Sequence, residues 1–226
     1  MGTRPKIIEF YGLPGCGKTT LCNALKEIYE SKGFKVGTLP DATNQFSSVG
    51  LFHLLSLRDC FFLFKFYRSF INNNVYKSLV LSPIRRLLIY RYAKRKEDYD
   101  FLFIDHGAVQ SVVRVLYEVE NPLEFLKTPI VSDYYSMIPA DMYINCRISS
   151  DEAFSRVRIR NRKNSGTFDQ YPDEQLKQVL KGHITIFNNT EAILKNLDKK
   201  IYTIDCSVEL DKCLSQVEKN IIIEYE

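Results

Sequence analysis

The chain has 226 residues, of which 45% are hydrophobic and 26% charged, and this composition excludes an intrinsically disordered protein. Ten glycines and eight prolines are too few for a fibrous or low-complexity chain. The net charge of +4 permits an anionic substrate but falls short of the dense positive field of a general nucleic-acid binder, so we expect no nucleic-acid partner.

The cysteines and the apolar segments indicate in which cellular compartment the protein acts. The six cysteines form no CxxC pair, and a chain of this length can build a core without disulfides, so we predict reduced thiols and a cytoplasmic protein. The most apolar stretch, residues 51–66, is interrupted by charged residues and a histidine, which makes it a poor membrane span. The three histidines show no metal-ligand spacing.

Short apolar runs predict five β-strands, at residues 6–11, 35–39, 101–104, 142–146 and 200–204. Apolar residues at helical spacing follow the first, the third and the last run. The third run is continuously apolar, as is typical of a strand buried on both faces of a parallel sheet. This alternation indicates an α/β fold with a doubly wound parallel sheet, in a single domain that spans residues 1–226.

An oversized segment, residues 47–98, separates the second run from the third. It is rich in Phe, Leu and Tyr, with Arg and Lys interspersed. We interpret it as two or more helices that form a lobe over one end of the sheet. The alternative is that the segment simply adds to the core.

The segment Gly12–Thr19 matches the pattern G-x-x-x-x-G-K-[ST], which arises by chance in about one chain in a hundred of this length. Glycines let backbone N–H groups approach phosphate oxygens, and the helix that follows points its positive end at the same anion. The segment follows an apolar strand and opens an amphipathic helix, which favours a phosphate-binding loop over a mere glycine-rich turn. The residues predicted to bind the nucleotide are Gly12, Pro14, Gly15, Cys16, Gly17, Lys18, Thr19 and Thr20, with Lys18 on the β- and γ-phosphates and Thr19 on Mg²⁺.

Asp105 ends the buried third run. Its carboxylate would emerge at the carboxyl edge of the sheet beside Thr19, where a second Mg²⁺ ligand is needed. A helix cap is the alternative role.

A basic run begins at Arg156 and ends at Lys163, after a helix start at residues 150–152. Arg156 and Arg160 are four residues apart and would share one helix face. We interpret residues 150–170 as a lid whose guanidinium groups neutralise the transferred phosphoryl group. A solvated basic face and an RNA-binding patch are the alternatives.

Together these parts resemble the thymidylate kinase and deoxynucleoside kinase branch of the P-loop kinases. The matching pieces are Gly12–Thr19, Asp105-His106, residues 152–162 and Phe168-Asp169, and the resemblance covers the chain from Lys6 to about Ile222. It implies five parallel strands in the order 2-3-1-4-5, ATP with Mg²⁺ as the donor, and a helical lid that carries arginines. It also implies an acceptor pocket between the lid and the helices after strand two.

The chain departs from that family on the acceptor side. His106 stands where the family usually has Arg, and a neutral His is a weaker anion ligand. The acidic base that many nucleoside kinases carry after strand two has one candidate, Asp41. The thymidylate kinase pattern of an aromatic residue followed four residues later by Arg has two candidate counterparts, Phe64 with Arg68 and Arg58 with Phe61 or Phe62. The candidate acceptor-binding residues are Asp105, His106, Gln110, Ser111, Arg58, Phe64 and Arg68.

Our first hypothesis is an ATP-dependent phosphotransferase that acts on a nucleotide or nucleoside, with Lys18, Arg156, Arg160 and Asp41 as catalytic residues. A P-loop kinase for another small metabolite is one alternative. A nucleotide-dependent regulatory NTPase with a protein partner is the other, because the aromatic lobe offers a docking surface. We expect no membrane partner, and a homodimer is left open.

Overall fold

The computed structural model describes residues 4–46, 55–96, 98–160 and 167–225. The beginning of the predicted lobe, residues 47–54, lies outside the described residues. So do residues 161–166, which include the end of the basic run.

The sheet has five parallel strands in the order β2-β3-β1-β4-β5, which confirms the predicted fold class and strand order. The central strand, β1, pairs with β3 on one side and with β4 on the other. Apolar residues fill β1 and β3 because helices cover both faces of the sheet. The strands are β1 Lys6–Gly12, β2 Val36–Thr38, β3 Phe101–Ile104, β4 Met142–Arg147 and β5 Ile201–Asp205.

One or more helices lie between each strand and the next along the chain. The first begins directly after the glycine-rich loop, and the last follows β5. They are α1 Lys18–Ser31, α2 Leu39–Phe46, α3 Leu57–Ile71, α4 Lys77–Ala93, α5 Ala108–Tyr117, α6 Pro122–Leu126, α7 Pro129–Met137, α8 Ser150–Ile159, α9 Asp173–Asn196 and α10 Leu210–Tyr225, with a 3-10 helix at Thr167–Gln170. None of the described helices has the length and apolar character needed to cross a membrane.

Alternate residues of β1 enter two different cores. Ile8 and Phe10 pack on the side of α1 and α10, whereas Ile7 and Tyr11 pack on the side of α4, α5 and α9. This is the two-residue period of a strand between two layers. Glu9 follows the same alternation, so its side chain enters the second core although it carries a titratable carboxyl.

Within the predicted lobe, α3 buries one face in that second core, and α4 is buried on several sides in its C-terminal half. Phe66 and Phe70 of α3 are fully buried, and Phe66 stacks on Tyr134 of α7 at 4.5 Å between ring centroids. Val80 and Leu87 of α4 are buried as well. The two helices are therefore packed against the body of the protein.

Glu9 caps α5 from a neighbouring strand. No side chain next to the N-terminus of α5 caps it, and instead Glu9 Oε1 accepts hydrogen bonds from the backbone N–H groups of Val109 at 2.8 Å and Gln110 at 3.3 Å. Tyr90 of α4 donates its hydroxyl to Glu9 Oε2 at 3.0 Å. A Cβ at Gly107 would collide with this Tyr90 hydroxyl and with Glu9. The capped end of α5 is the end that follows Asp105 and His106.

Protonation of Glu9 links stability to pH. Burial is the largest influence and raises the pKa of Glu9 from 4.5 to about 7, although the hydrogen bonds from Tyr90, Gln110 and Val109 favour the ionised form. Between these two pH values the folded chain holds a proton that the unfolded chain has released. The free energy of unfolding therefore falls as the pH rises through this range, by about 3 kcal/mol in total.

We expect Glu9→Gln to remove this pH dependence, because an amide keeps an acceptor for Val109 and does not titrate. Urea unfolding near pH 5 and near pH 8 measures it: the wild type should lose about 2–3 kcal/mol relative to the variant between the two conditions. Glu191→Gln is the matched control. Burial raises the pKa of Glu191, but hydrogen bonds from Lys195, Arg147 and Asn145 outweigh burial and lower the pKa overall. Glu191 therefore stays ionised, and its replacement should leave the pH dependence of the free energy of unfolding unchanged. Equal slopes for the wild type and Glu9→Gln would contradict the prediction.

Candidate active site

The glycine-rich loop joins β1 to α1 and depends on its glycines. Gly12, Gly15 and Gly17 have φ angles of 145°, 86° and 88°, which side chains disfavour. A Cβ at Gly12 would also run into the carbonyl oxygen of Cys146 on the paired strand β4. The loop therefore lies tightly against the carboxyl end of β4, and α1 points its N-terminus at the space above it.

Lys18 folds back onto its own loop. Its Nζ donates to the carbonyl oxygens of Gly12 at 3.0 Å and Leu13 at 2.8 Å, and it lies 3.3 Å from Cys16 Sγ. The residue is only 4% exposed. These contacts hold an ammonium group inside the loop, where it can transfer its hydrogen bonds to phosphate oxygens.

Thr19 and Asp105 meet at the edge of the sheet. The Thr19 hydroxyl donates to Asp105 Oδ2 at 2.6 Å, across 86 residues of sequence. The two oxygens form the kind of hard donor set that Mg²⁺ prefers. Among the described residues no cluster of three His, Cys, Asp or Glu side chains could hold a metal by itself. Thr20 is exposed on the same turn, and Pro14 is half-buried in the loop.

Cys16 is an acidic thiol. Burial would raise its pKa, but a hydrogen bond from Cys146 and the charge of Lys18 outweigh burial and lower the pKa of Cys16 to about 6. All six cysteines of the chain are free thiols.

Gln110 and His106 occupy the first turn after β3. Gln110 Oε1 accepts the N–H of Gly12 at 3.1 Å, so this side chain supports the loop in the present structure. Partial desolvation and the charge of Lys18 lower the pKa of His106, although Asp105 acts in the opposite direction. This shift favours the neutral form of His106.

Arg86 of α4 was missed by the sequence analysis. It is half-buried, and its buried Nε has no hydrogen-bond partner among the described residues. Burial lowers the pKa of Arg86, while Glu9 and Asp105 raise it. Its positive charge also acts on His106. The signal in the sequence is the four-residue spacing of Ser82, Arg86 and Tyr90 along α4; for Glu9 it is a charge in the middle of a buried strand.

Asp41, the predicted base, lies on the first turn of α2. Its Oδ2 accepts both the N–H and the hydroxyl of Thr38 at 2.8 Å and lies 3.5 Å from Lys26 Nζ. Burial raises the pKa of Asp41, but the bonds from Thr38 and the charge of Lys26 lower it more strongly. A carboxylate held in this way is a helix cap in the present structure and a weak base.

Three predicted acceptor-binding residues, Arg58, Phe64 and Arg68, lie on the outer face of α3. All three are exposed, Phe64 to 60%. Hydrogen bonds or ring contacts from these side chains to the glycine-rich loop are absent from the described part of the chain. Their role in acceptor binding stays a prediction.

The predicted lid arginines are separated by a helix end. α8 ends at Ile159, and Arg160 has an extended backbone, so Arg156 and Arg160 do not share a helix face as the spacing had suggested. Arg156 donates to the carboxylate of Glu152 and to the carbonyl oxygen of Cys206 at 2.9 Å. Arg156 is thus bound beside the end of β5, whereas Arg160 lies after the end of α8.

A cavity of about 240 Å³ lies between α4, α5, the 3-10 helix and α9. Its walls are largely aromatic, and Tyr117 stacks on His183 with ring centroids 4.4 Å apart. α5 runs from the edge of the sheet beside the glycine-rich loop to this cavity: Arg114 lies four residues, roughly 6 Å of helix, beyond Gln110. The cavity lining includes Leu79, Arg114, Tyr117, Phe168 and Tyr171.

Comparisons with known proteins find similarity in structure alone. No protein-family profile matches the chain, and a search of curated proteins finds no match. Among solved structures, the chain is similar to deoxyadenosine kinase from M. mycoides with the products dCMP and a flexible dCDP bound, at a TM-score of 0.54 and 12% identity over 95% of this chain and 98% of that one. The same kinase with bound dATP gives a TM-score of 0.52 and 13% identity over 96% and 98% of the two chains. The chain therefore has the fold of a P-loop deoxynucleoside kinase over nearly its whole length.

Proposed function

We propose that this protein is an ATP-dependent kinase that transfers the γ-phosphoryl group to a nucleotide or nucleoside. The observation that carries the proposal is the 2.6 Å contact between Thr19 and Asp105, which joins the glycine-rich loop to the carboxyl end of β3. A fold likeness by itself does not establish an activity, but the contact of Thr19 with Asp105 at the edge of the sheet supports the proposal.

The donor would bind at the loop. Backbone N–H groups and the N-terminus of α1 would receive the triphosphate, and Lys18 would exchange its bonds to Gly12 and Leu13 for bonds to phosphate oxygens. Thr19 and Asp105 fit Mg²⁺, which when bound would neutralise charge on those oxygens. The acidic thiol of Cys16 and the free cysteines suit a reducing compartment, and we propose that the protein acts in the cytoplasm.

The acceptor would occupy the aromatic cavity. Tyr117, Phe168 and Tyr171 offer flat apolar surfaces for a nucleobase, and Arg114 offers hydrogen-bond donors beside them. α5 would direct the acceptor from this cavity towards Asp105 and the γ-phosphoryl group. The aromatic lining favours a nucleoside or nucleotide over a sugar acceptor.

Catalysis would rest on positioning and on charge. Lys18 on one side and Arg156 with Arg160 on the other would stabilise the charge that spreads over the phosphoryl oxygens during in-line transfer. Closure of residues 150–170 over the site would exclude water and suppress hydrolysis of ATP.

The direct test is to mix the protein with Mg-ATP and a panel of nucleosides and monophosphates and to measure ADP. We expect turnover that depends on the acceptor and on Mg²⁺, and Lys18→Ala should abolish it. Asp105→Asn should raise the Mg²⁺ concentration needed for half-maximal rate. ATP hydrolysis that no acceptor stimulates would instead favour a regulatory NTPase, and absence of ATP binding would refute the proposal.

The lid residues should separate turnover from ATP binding. We expect Arg156→Ala and Arg160→Ala each to lower kcat at least tenfold with little change in the Kd for ATP, because their charge matters most in the transition state. Lys212→Ala, which removes a positive charge from the exposed face of α10, is the control and should behave like the wild type. Wild-type kcat in both arginine variants would remove these residues from the mechanism.

A further inference from the structure

We propose that Arg86 binds the phosphate group of the acceptor, and that the acceptor is therefore a nucleoside monophosphate. This inference rests on the proposed kinase function and specifies its acceptor. It is carried by the position of Arg86 in the fold, by its unpartnered buried nitrogen, and by the state of the neighbouring carboxylates.

One face of α4 lies along the acceptor side of the site. Ser82 lies 3.5 Å from Ser111, hydroxyl to hydroxyl, and the Tyr90 hydroxyl accepts the N–H of Ala108 at 3.4 Å. Arg86 is four residues from each of these α4 residues, so it shares their helix face. It therefore lies over the first turn of α5, between these two contacts.

The same face of α4 extends from the aromatic cavity towards Thr19 and Asp105, where phosphoryl transfer would take place. Leu79 lines the cavity, and Arg86 lies seven residues further along α4, roughly 10 Å of helix. This distance is the scale of a nucleoside. A base held in the cavity would thus place its 5′ substituent near Arg86, on the way to Asp105.

The guanidinium group of Arg86 lacks a complete set of partners. Its buried Nε makes no hydrogen bond within the described part of the chain, and a buried donor without an acceptor is costly. A phosphate oxygen is an acceptor of the right charge, and the guanidinium fork can bind two such oxygens at once.

The carboxylates at this end of the sheet are already engaged. Glu9 holds the backbone of α5, Asp41 holds Thr38, and Asp105 holds Thr19. A nucleoside hydroxyl must lose a proton during transfer and needs a base, whereas a phosphate oxygen is ionised at neutral pH. The unpartnered Nε of Arg86, next to carboxylates that are already occupied, favours a phosphate acceptor.

The experiment compares monophosphates with the corresponding nucleosides, using ADP formation as one readout and calorimetric binding without ATP as the other. We expect the wild type to bind and phosphorylate a monophosphate. Arg86→Gln should raise the KM and the Kd for that monophosphate tenfold or more, with little change in the KM for ATP. Arg86→Lys should recover part of the binding, because the charge returns without the fork. Arg85→Gln, on the exposed face of the same helix turn, is the matched control and should equal the wild type.

The outcomes distinguish this inference from the proposed function. Phosphorylation of nucleosides but not of monophosphates, with loss of activity in Asp41→Asn, would overturn the phosphate acceptor and leave a kinase. Monophosphate binding that Arg86→Gln and Arg86→Lys leave unchanged would overturn the role of Arg86. Monophosphate binding that Arg86→Gln weakens would support that role even if no acceptor were phosphorylated, although the proposed kinase activity would then be wrong.

Discussion

The parallel pairing of β1 with β3 is the constraint on which the site depends. In this register Glu9 lies opposite Ile104, so β1 continues to Gly12 beyond the point at which β3 ends. Asp105 then leaves the sheet beside the loop, and Thr19 reaches it from the start of α1. Because side chains alternate along a strand, a slip of one residue would turn Glu9 away from α5 and separate these parts.

The buried carboxyl group of Glu9 holds the start of α5, the helix that follows Asp105. Glu9 satisfies two backbone donors of α5 and a hydroxyl of α4, which joins three elements at one point. Burial of a charge is unfavourable, and the hydrogen bonds offset that cost only in part, as the raised pKa of Glu9 indicates. The result is a helix start that is held from the interior and leaves the side chains of His106 and Gln110 at the edge of the sheet.

The chain shares its fold with deoxyadenosine kinase although the two sequences are only 12% identical. A fold of this kind persists when the buried pattern of strands and helices persists, whatever the individual residues. Chemistry depends instead on a few side chains at the sheet edge. His106 and Arg86 lie near this edge, so in the proposed kinase the positive charge for the acceptor would come from α4 rather than from the residue after Asp105.

The strand order was implied by the resemblance to the P-loop kinases. The sequence by itself determined the five strands, the glycine-rich loop and the expected proximity of Thr19 and Asp105. These follow from short-range signals: apolar runs, glycines at fixed spacing, and the rule that parallel strands deliver their carboxyl ends to one edge. Only the tertiary structure decided which residues the helices bring to that edge. Asp41 is bonded to Thr38, Arg160 lies beyond the end of α8, and the charge of Glu9 acts on Arg86 although 77 residues separate the two. The packing of α4 on α5 arises from contacts that are distant in sequence, and no local pattern encodes the direction in which a packed side chain points.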